Sequence, residues 1–323
     1  MFWGLAALSF LVAFAAVRVL LSRFGRFALD QPNERSLHVQ PVPRTGGIAV
    51  LAGSAVATAF IGGKLWLPML LALLLAALSF YDDVRELRTR TRFLAHFAVA
   101  AFFVWYVTSP MNPVEMLLLV LAVVWITNLY NFMDGADGVA GGMAIIGFGA
   151  YALGAWLGGH YALAALCAAL AASSAAFLAH NFHPARIFLG DVGSIPLGFL
   201  AAALGIVGWR DELWPLWFPL LVFGPFNADA TVTLVKRLLR REKVWRPHRD
   251  HYYQRIVRMG LGHRAAALIG YIVMAICAAA ALLGRGQPPA LQALAFGAGT
   301  AVLAAMALWV DRRWARFAKN AGA

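Results

Sequence analysis

The chain has 323 residues, 62% of them apolar and 13% charged, with a net charge of +12 and a mean hydropathy of +0.72. Such a composition excludes an ordinary soluble domain, whose surface would need far more polar residues at this length. Nucleic-acid binding has no support either: the basic residues sit in short segments between apolar runs, and no RNA- or DNA-binding motif is present.

Taken in chain order, eleven apolar runs approach membrane-spanning length, at roughly 2–21, 46–62, 65–81, 93–108, 113–128, 139–157, 160–179, 192–208, 213–235, 265–284 and 289–310. The second and fourth are short, so ten is the alternative count. Backbone groups in hydrocarbon must pair within their own segment, so these runs predict helices. The predicted fold class is all-α, a polytopic integral membrane protein of about 10–11 transmembrane helices. Residues 1–323 form a single transmembrane domain, and 236–264 form a basic loop.

No basic residue precedes the first run, while Arg18, Arg23 and Arg26 accompany or follow it. That order predicts an anchor with its N-terminus outside rather than a cleaved leader. With this orientation the inner segments carry 23 Lys and Arg and the outer loops only Lys64, Arg210 and Arg285. The net charge therefore reads as cytoplasmic loops facing anionic lipid and an anionic substrate. Cys167 and Cys277 fall inside apolar runs and read as packing residues, without a disulfide or metal role.

The acids are independent of that assignment, which used Lys and Arg alone. YDDVREL places Asp82 and Asp83 at the inner end of the third run, and NFMDGADG places Asp134 and Asp137 at the inner end of the fifth. FLGDVGS places Asp191 just before the eighth. Asp and Asn cap helices and Gly ends them, which is a sufficient account of any one of these acids. All five on one side, in Gly-containing or paired motifs, ask for more. Gathered carboxylates repel unless a cation neutralises them. Oxygen ligands of this kind suit Mg²⁺ together with substrate phosphates.

Two further inner stretches fit an anionic ligand. HVQPVPRTGG, residues 38–47, places Arg44 before paired glycines, and RPHRDHYYQRI, residues 246–256, offers His248, Arg249 and His251 as charge-assisted donors. Their plainer readings are a rigid turn into a helix and a solvated loop on lipid. His180, Asn181 and His183 precede Asp191 closely enough to share its site, whereas His96 and His160 read as packing residues. Asp229, inside the ninth run, reads equally as a functional acid or as a partner of Lys236 or Arg237.

Together, and in this order, the motifs resemble the polyprenyl-phosphate N-acetylhexosamine-1-phosphate transferase superfamily, also called glycosyltransferase family 4. The resemblance implies transfer of a sugar-1-phosphate from a UDP-N-acetylhexosamine to undecaprenyl phosphate at the bacterial cytoplasmic membrane. UMP is released, and Mg²⁺ or Mn²⁺ is required. It makes Asp82 and Asp83 the paired acids, one of them deprotonating the lipid phosphate. Asn131, Asp134 and Asp137 match its N-x-x-D-x-x-D motif, with Asp137 near the nucleotide. Asp191 matches the principal metal ligand, with Asp83 and Asn131 as further metal candidates, and Asn181 and Phe188 match positions near the uracil. His248 and His251 match part of a histidine loop near the diphosphate, with Arg44 and Arg249 as further substrate contacts.

PVPRTGG and HRDHYYQ differ from the patterns of the phospho-MurNAc-pentapeptide and enterobacterial-common-antigen enzymes. They look closer to transferases that initiate O-antigen or other surface polysaccharides, with UDP-GlcNAc or a related donor and MurNAc-pentapeptide as the alternative. A homodimer is compatible with this reading. A CDP-alcohol phosphotransferase is disfavoured, because DGADGVAGG lacks its Arg and downstream acids. A cation- or proton-coupled transporter would place its acids at mid-membrane, where only Asp229 lies.

Overall fold

A computed structural model describes residues 2–25, 28–32, 37–38, 40–85, 87–244, 246 and 248–321. Val39 and Pro247, within two of the stretches quoted above, lie outside the described residues, as does Arg26.

The described residues form an all-α bundle with one two-residue ladder. The helices are α1 (Phe2–Arg23), α2 (Gly46–Ile61), α3 (Trp66–Arg85), α4 (Thr89–Thr108), α5 (Pro113–Phe132), α6 (Val139–Leu157) and α7 (Tyr161–Asn181). They continue with α8 (Asp191–Arg210), α9 (Trp217–Val222), α10 (Gly224–Leu239), α11 (Tyr252–Ile256), α12 (Gly262–Gly284) and α13 (Pro289–Ala321). Among the described residues, nine helical stretches are long and apolar enough to cross a membrane, and α2 is a shorter apolar helix. The chain is a multi-pass membrane protein.

The predicted ninth span is not one helix. Phe223 leaves helical geometry at φ −93°, ψ 14°, and Gly224 and Pro225 follow, so the run divides into α9 and α10. Proline lacks the N–H that would continue the ladder.

Helix α8 forms the centre: every residue from Val192 to Gly208 is buried, and α3, α5, α2 and α4 pack around it. The outward faces are apolar, with Leu70, Leu74, Leu94, Leu117 and Leu118 exposed. Such a surface would be a liability in water and is a natural one in lipid. Trp66, Trp105, Tyr106, Trp156 and Tyr161 are exposed near the predicted outer helix ends, as expected of an interfacial aromatic belt. At that end Asp211 pairs with Lys64 at 2.6 Å and with His160 at 3.2 Å. His160, read as packing without an acidic companion, has one. Its ring also accepts the Leu163 N–H at the start of α7.

One contact fixes the site's floor. A Cβ on Gly47 would lie 2.2 Å from the Gly193 Cα, so α2 and α8 cross at backbone contact. The amides of Gly46 and Gly47 donate to the carbonyls of Phe188 and Leu189, and Phe188 N donates to Pro43 O. The segment carrying Arg44 is thus zipped to the segment leading into Asp191. Gly190 between them adopts φ +70° with the Arg44 carbonyl against it, a geometry open to glycine.

Candidate active site

A cavity of about 910 Å³ opens at the end of the bundle where α3, α5 and α7 finish and α8 begins. Arg44, Asp82, Asp83, Asn131, Asp134 and Asp137 line it. So do Asn181, Phe188, Asp191, His248 and His251. These residues, up to 207 positions apart in sequence, therefore meet at one mouth, whose full lining runs from Asp30 to His263. Arg249 does not line it; its carbonyl accepts from Arg258 in the neighbouring turn.

The two paired acids are held differently. Asp82 accepts the Leu87 N–H at 2.7 Å and the Arg92 guanidinium at 2.8 Å, fastening the turn from α3 to α4. Asp83 faces Arg44 at 3.1 Å, and the Arg44 Nε has no partner among the described residues. Asn131 accepts the Ser194 hydroxyl at 2.9 Å, tying the end of α5 to the first turn of α8. Asp134 accepts the Gly190 N–H; burial, then the neighbouring Asp191 charge, pushes its carboxyl well above the usual carboxylate range.

The carboxylates of Asp82, Asp83, Asp134 and Asp191 thus share one wall with Arg44 and Arg92 as the cations beside them. Hard oxygen donors, with the Asp134 carboxyl pushed up by burial and then by the Asp191 charge, fit a divalent cation such as Mg²⁺.

Asp137 belongs to a different group. Its carboxylate meets His183 Nδ1 at 2.6 Å and His263 Nδ1 at 3.3 Å, and accepts the Ala185 N–H at 3.2 Å. Burial would raise its pKa, but the hydrogen bonds from His263 and His183 outweigh that and hold the carboxyl below its ordinary value. Asn181 is engaged with backbone: Oδ1 accepts the Gly138 N–H at 3.0 Å and Nδ2 donates to Ile187 O at 2.9 Å. It locks the loop after α5 to the loop before α8. Phe188 leaves part of its ring open to the cavity and meets His38 edge-on, centroids 4.9 Å apart.

The histidine loop rests on Asp229. That carboxylate accepts the amides of Tyr252 and Tyr253 at 2.9 and 3.1 Å, capping α11, and meets His251 Nδ1 at 3.2 Å. It is not the partner of Lys236 or Arg237: Lys236 pairs with Asp311, and Arg237 with Asp250 and Glu242. Tyr253 crosses to the Phe132 carbonyl, passing where a Cβ on Gly135 would sit 2.2 Å from its hydroxyl. Burial, aided by His251 and Arg237, lowers the His248 pKa to about 4 and keeps that ring neutral near pH 7.

Sequence reasoning missed Asp30, His38, Arg92, Asn128 and His263, all in the cavity wall. Arg92 carried a signal, a base ten residues past an acid at a helix junction. His263 carried none, since its contacts lie 80 and 126 residues away. His96, read as packing, is 6% exposed, lines the cavity, and its Nδ1 has no partner among the described residues.

Comparison with known proteins places the chain in a family. Residues 65–209 match the sequence model of glycosyl transferase family 4. A "Probable undecaprenyl-phosphate N-acetylglucosaminyl 1-phosphate transferase" of Bacillus subtilis (strain 168) is 30% identical over 289 residues, 82% of this chain and 81% of that one. A "Decaprenyl-phosphate N-acetylglucosaminephosphotransferase" of Mycolicibacterium smegmatis is 32% identical over 311 residues, covering 81% and 76%. A "Phospho-N-acetylmuramoyl-pentapeptide-transferase" of Geobacillus kaustophilus is 28% identical over 261 residues, covering 71% and 81%. The chain belongs to glycosyl transferase family 4, the polyprenyl-phosphate N-acetylhexosamine-1-phosphate transferase superfamily.

Proposed function

We propose that this protein transfers N-acetylhexosamine-1-phosphate from a UDP-sugar, UDP-GlcNAc or a close relative, to undecaprenyl phosphate in the bacterial cytoplasmic membrane. UMP leaves, and the lipid-linked diphosphate sugar begins an O-antigen or other surface polysaccharide. The observation carrying this reading is the cavity itself: six carboxylates and three arginines line it at the membrane boundary of an otherwise apolar bundle. An adjoining cavity of about 300 Å³, walled by Met133, Phe226, Val232, Val273, Met274 and Leu303, suits an isoprenoid chain.

In the reaction an oxygen of the lipid phosphate bonds to the β-phosphorus of the donor. The bond from that phosphorus to the bridging oxygen breaks, and UMP carries the oxygen away. A bound Mg²⁺ or Mn²⁺ would neutralise the diphosphate during this exchange. Asp191, Asp83 and Asn131 are its holders in this reading, and Asp134 lies beside them.

Asp83, whose ion pair is with Arg44, takes any proton from the lipid phosphate. Asp82 has both oxygens engaged and orients the α3–α4 turn. Arg44 and Arg92 bind phosphate oxygens, the open face of Phe188 receives the base, and His248 and His251 face the diphosphate.

The test is UMP release by the purified protein with Mg²⁺, undecaprenyl phosphate and a panel of UDP-N-acetylhexosamines, UDP-MurNAc-pentapeptide among them. Release that requires lipid, metal and Asp191 is expected, with UDP-GlcNAc or a relative as best donor. Release from UDP-MurNAc-pentapeptide alone would reassign the sugar. No release from any donor by folded protein would overturn the reaction, and substrate crossing vesicles would then be the assay.

A further inference from the structure

The carboxylate wall accounts for four of the six cavity acids; Asp30 faces His38, and Asp137 remains. It comes from the loop between α5 and α6, His183 from the turn after α7, and His263 from the first turn of α12. We propose that Asp137, His183 and His263 form a separate binding site for a divalent transition ion, of the chemistry of Zn²⁺ or Co²⁺.

Each residue offers one ligand atom, and the three atoms lie within 4.8 Å of one another. Bonds of about 2.0–2.2 Å to a tetrahedral ion set neighbouring ligand atoms roughly 3.3 Å apart. His183 Nδ1 lies 2.6 Å from Asp137 Oδ2, closer than that spacing, and His263 Nδ1 lies 3.3 Å from Oδ1, so the ion would enter by a rotation that parts His183 from the carboxylate. The imidazole rings are nearly parallel, at 11° with centroids 5.3 Å apart, and both turn Nδ1 toward the carboxylate.

The surroundings also match a ligating set. His263 Nε2 lies 3.2 Å from the Leu37 carbonyl, so that nitrogen can keep a proton while Nδ1, the nitrogen that hydrogen-bonds Asp137, releases its own as the ion enters. The Ala185 N–H steadies the carboxylate. Asp137 and His263 are largely buried, while the His183 side chain is 42% exposed and provides the entry path. Two imidazoles select Zn²⁺ or Co²⁺ over Mg²⁺, the reverse of the oxygen-rich wall nearby.

Such an ion would cross-link three segments and draw Asp137 away from the cavity. Its occupancy therefore inhibits the enzyme, a consequence that rests on the transferase reading as the binding itself does not.

The experiment uses the full chain in detergent, purified without a histidine tag and freed of metal. Co²⁺ is titrated by visible absorption, and Zn²⁺ by competition with a chromophoric chelator. One ion per chain is expected, with bands of a four-coordinate nitrogen-ligated site that excess Mg²⁺ does not displace. Loss of an outer partner weakens such sites about 10–100-fold, so His183→Asn and His263→Gln should each weaken binding at least that far. His248→Gln should bind as the native protein does.

No stoichiometric uptake by the native chain, or equal uptake by both variants, overturns the proposal and leaves a hydrogen-bonded triad. Should one variant fail to elute as folded protein, the other and the native spectrum still decide. Zn²⁺ should inhibit UMP release in the native protein and less in His183→Asn. Failure of UMP release altogether would count against the transferase and not against the metal site.

Discussion

Removing the Asp229 carboxylate should disable the histidine loop. Asp229 is 9% exposed and accepts from Tyr252 N, Tyr253 N, His251 Nδ1 and the Thr233 hydroxyl. In Asp229→Ala the two amides at the start of α11 lose their acceptor. Losing such a cap costs about 0.5–2 kcal/mol, and a buried donor left unpaired about 1–3 kcal/mol. Relief of the buried charge offsets part of this, leaving about 2–4 kcal/mol of local destabilisation. His251 then loses its orientation, and a misplacement of about 1 Å lowers turnover roughly 100-fold, equivalent to about 2.7 kcal/mol. The assay is kcat/KM for UMP release by the native protein, Asp229→Ala, His251→Ala and the double variant. If Asp229 acts through His251, the double variant falls little below either single one. Additivity within about 0.5 kcal/mol would refute the coupling, as would full activity in His251→Ala. Asp229→Asn, which keeps one acceptor oxygen, should fall between.

The paired acids should separate by phenotype. Asp83→Asn should lose UMP release by about 100-fold or more at nearly native melting temperature, whereas Asp82→Asn, which gives up one of its two contacts, should lower both. His96→Ala should raise KM for the lipid phosphate with kcat nearly unchanged, and His96→Gln should restore it, since an amide can replace the unpartnered nitrogen. Gly193→Ala should destabilise by about 1–3 kcal/mol or fail to fold, because its Cβ would sit 2.5 Å from the Gly47 Cα. A melting curve in detergent reads this. His248 titrates near pH 4 when folded and near 6.5 when unfolded, so only the unfolded chain takes up its proton between those values. Its contribution to stability therefore falls as pH drops from about 6.5 to 4. Melting temperature against pH should be flatter there in His248→Gln, and an unchanged slope would refute the assignment.

The membrane architecture was legible because hydrocarbon imposes one rule on every span, and long apolar runs obey it. The exception was the run at 213–235, where Gly224 and Pro225 break a segment that hydropathy alone reads as continuous. The acids were legible as a group because helix ends place residues at known heights, so topology predicted which end each one reaches. What topology cannot supply is azimuth. Asp137 lies three residues beyond Asp134, yet it turns to His183 and His263 while Asp134 turns to Gly190 and Asp191. Asn181 matched a substrate-facing position, but both ends of its amide are fastened to backbone. His96 is buried as a packing residue would be, but its turn of α4 also borders the cavity, and a lone histidine in an apolar helix gives no sign of which way it faces.

These assignments divide the cavity into halves with different mechanical support. The carboxylate wall stands on α8, buried along its length, and on the Gly47–Gly193 crossing, so Asp191 and Arg44 are fixed by close-packed backbone. Close packing of that kind transmits strain and leaves little room for adjustment, which suits groups that must hold a cation and two phosphates in line. The histidine half hangs from α10 to α12, where the five residues of α11 are all buried and reach Asp229, Lys236, Asp311 and the Phe132 carbonyl. Its anchors are side-chain hydrogen bonds and ion pairs, where the carboxylate wall has backbone against backbone. A site that admits a bulky sugar nucleotide and must also release UMP needs one wall that yields. Side chains can exchange partners where close-packed backbone cannot, so the histidine loop is the wall suited to yield, with Asp229 and Tyr253 among the residues that close it.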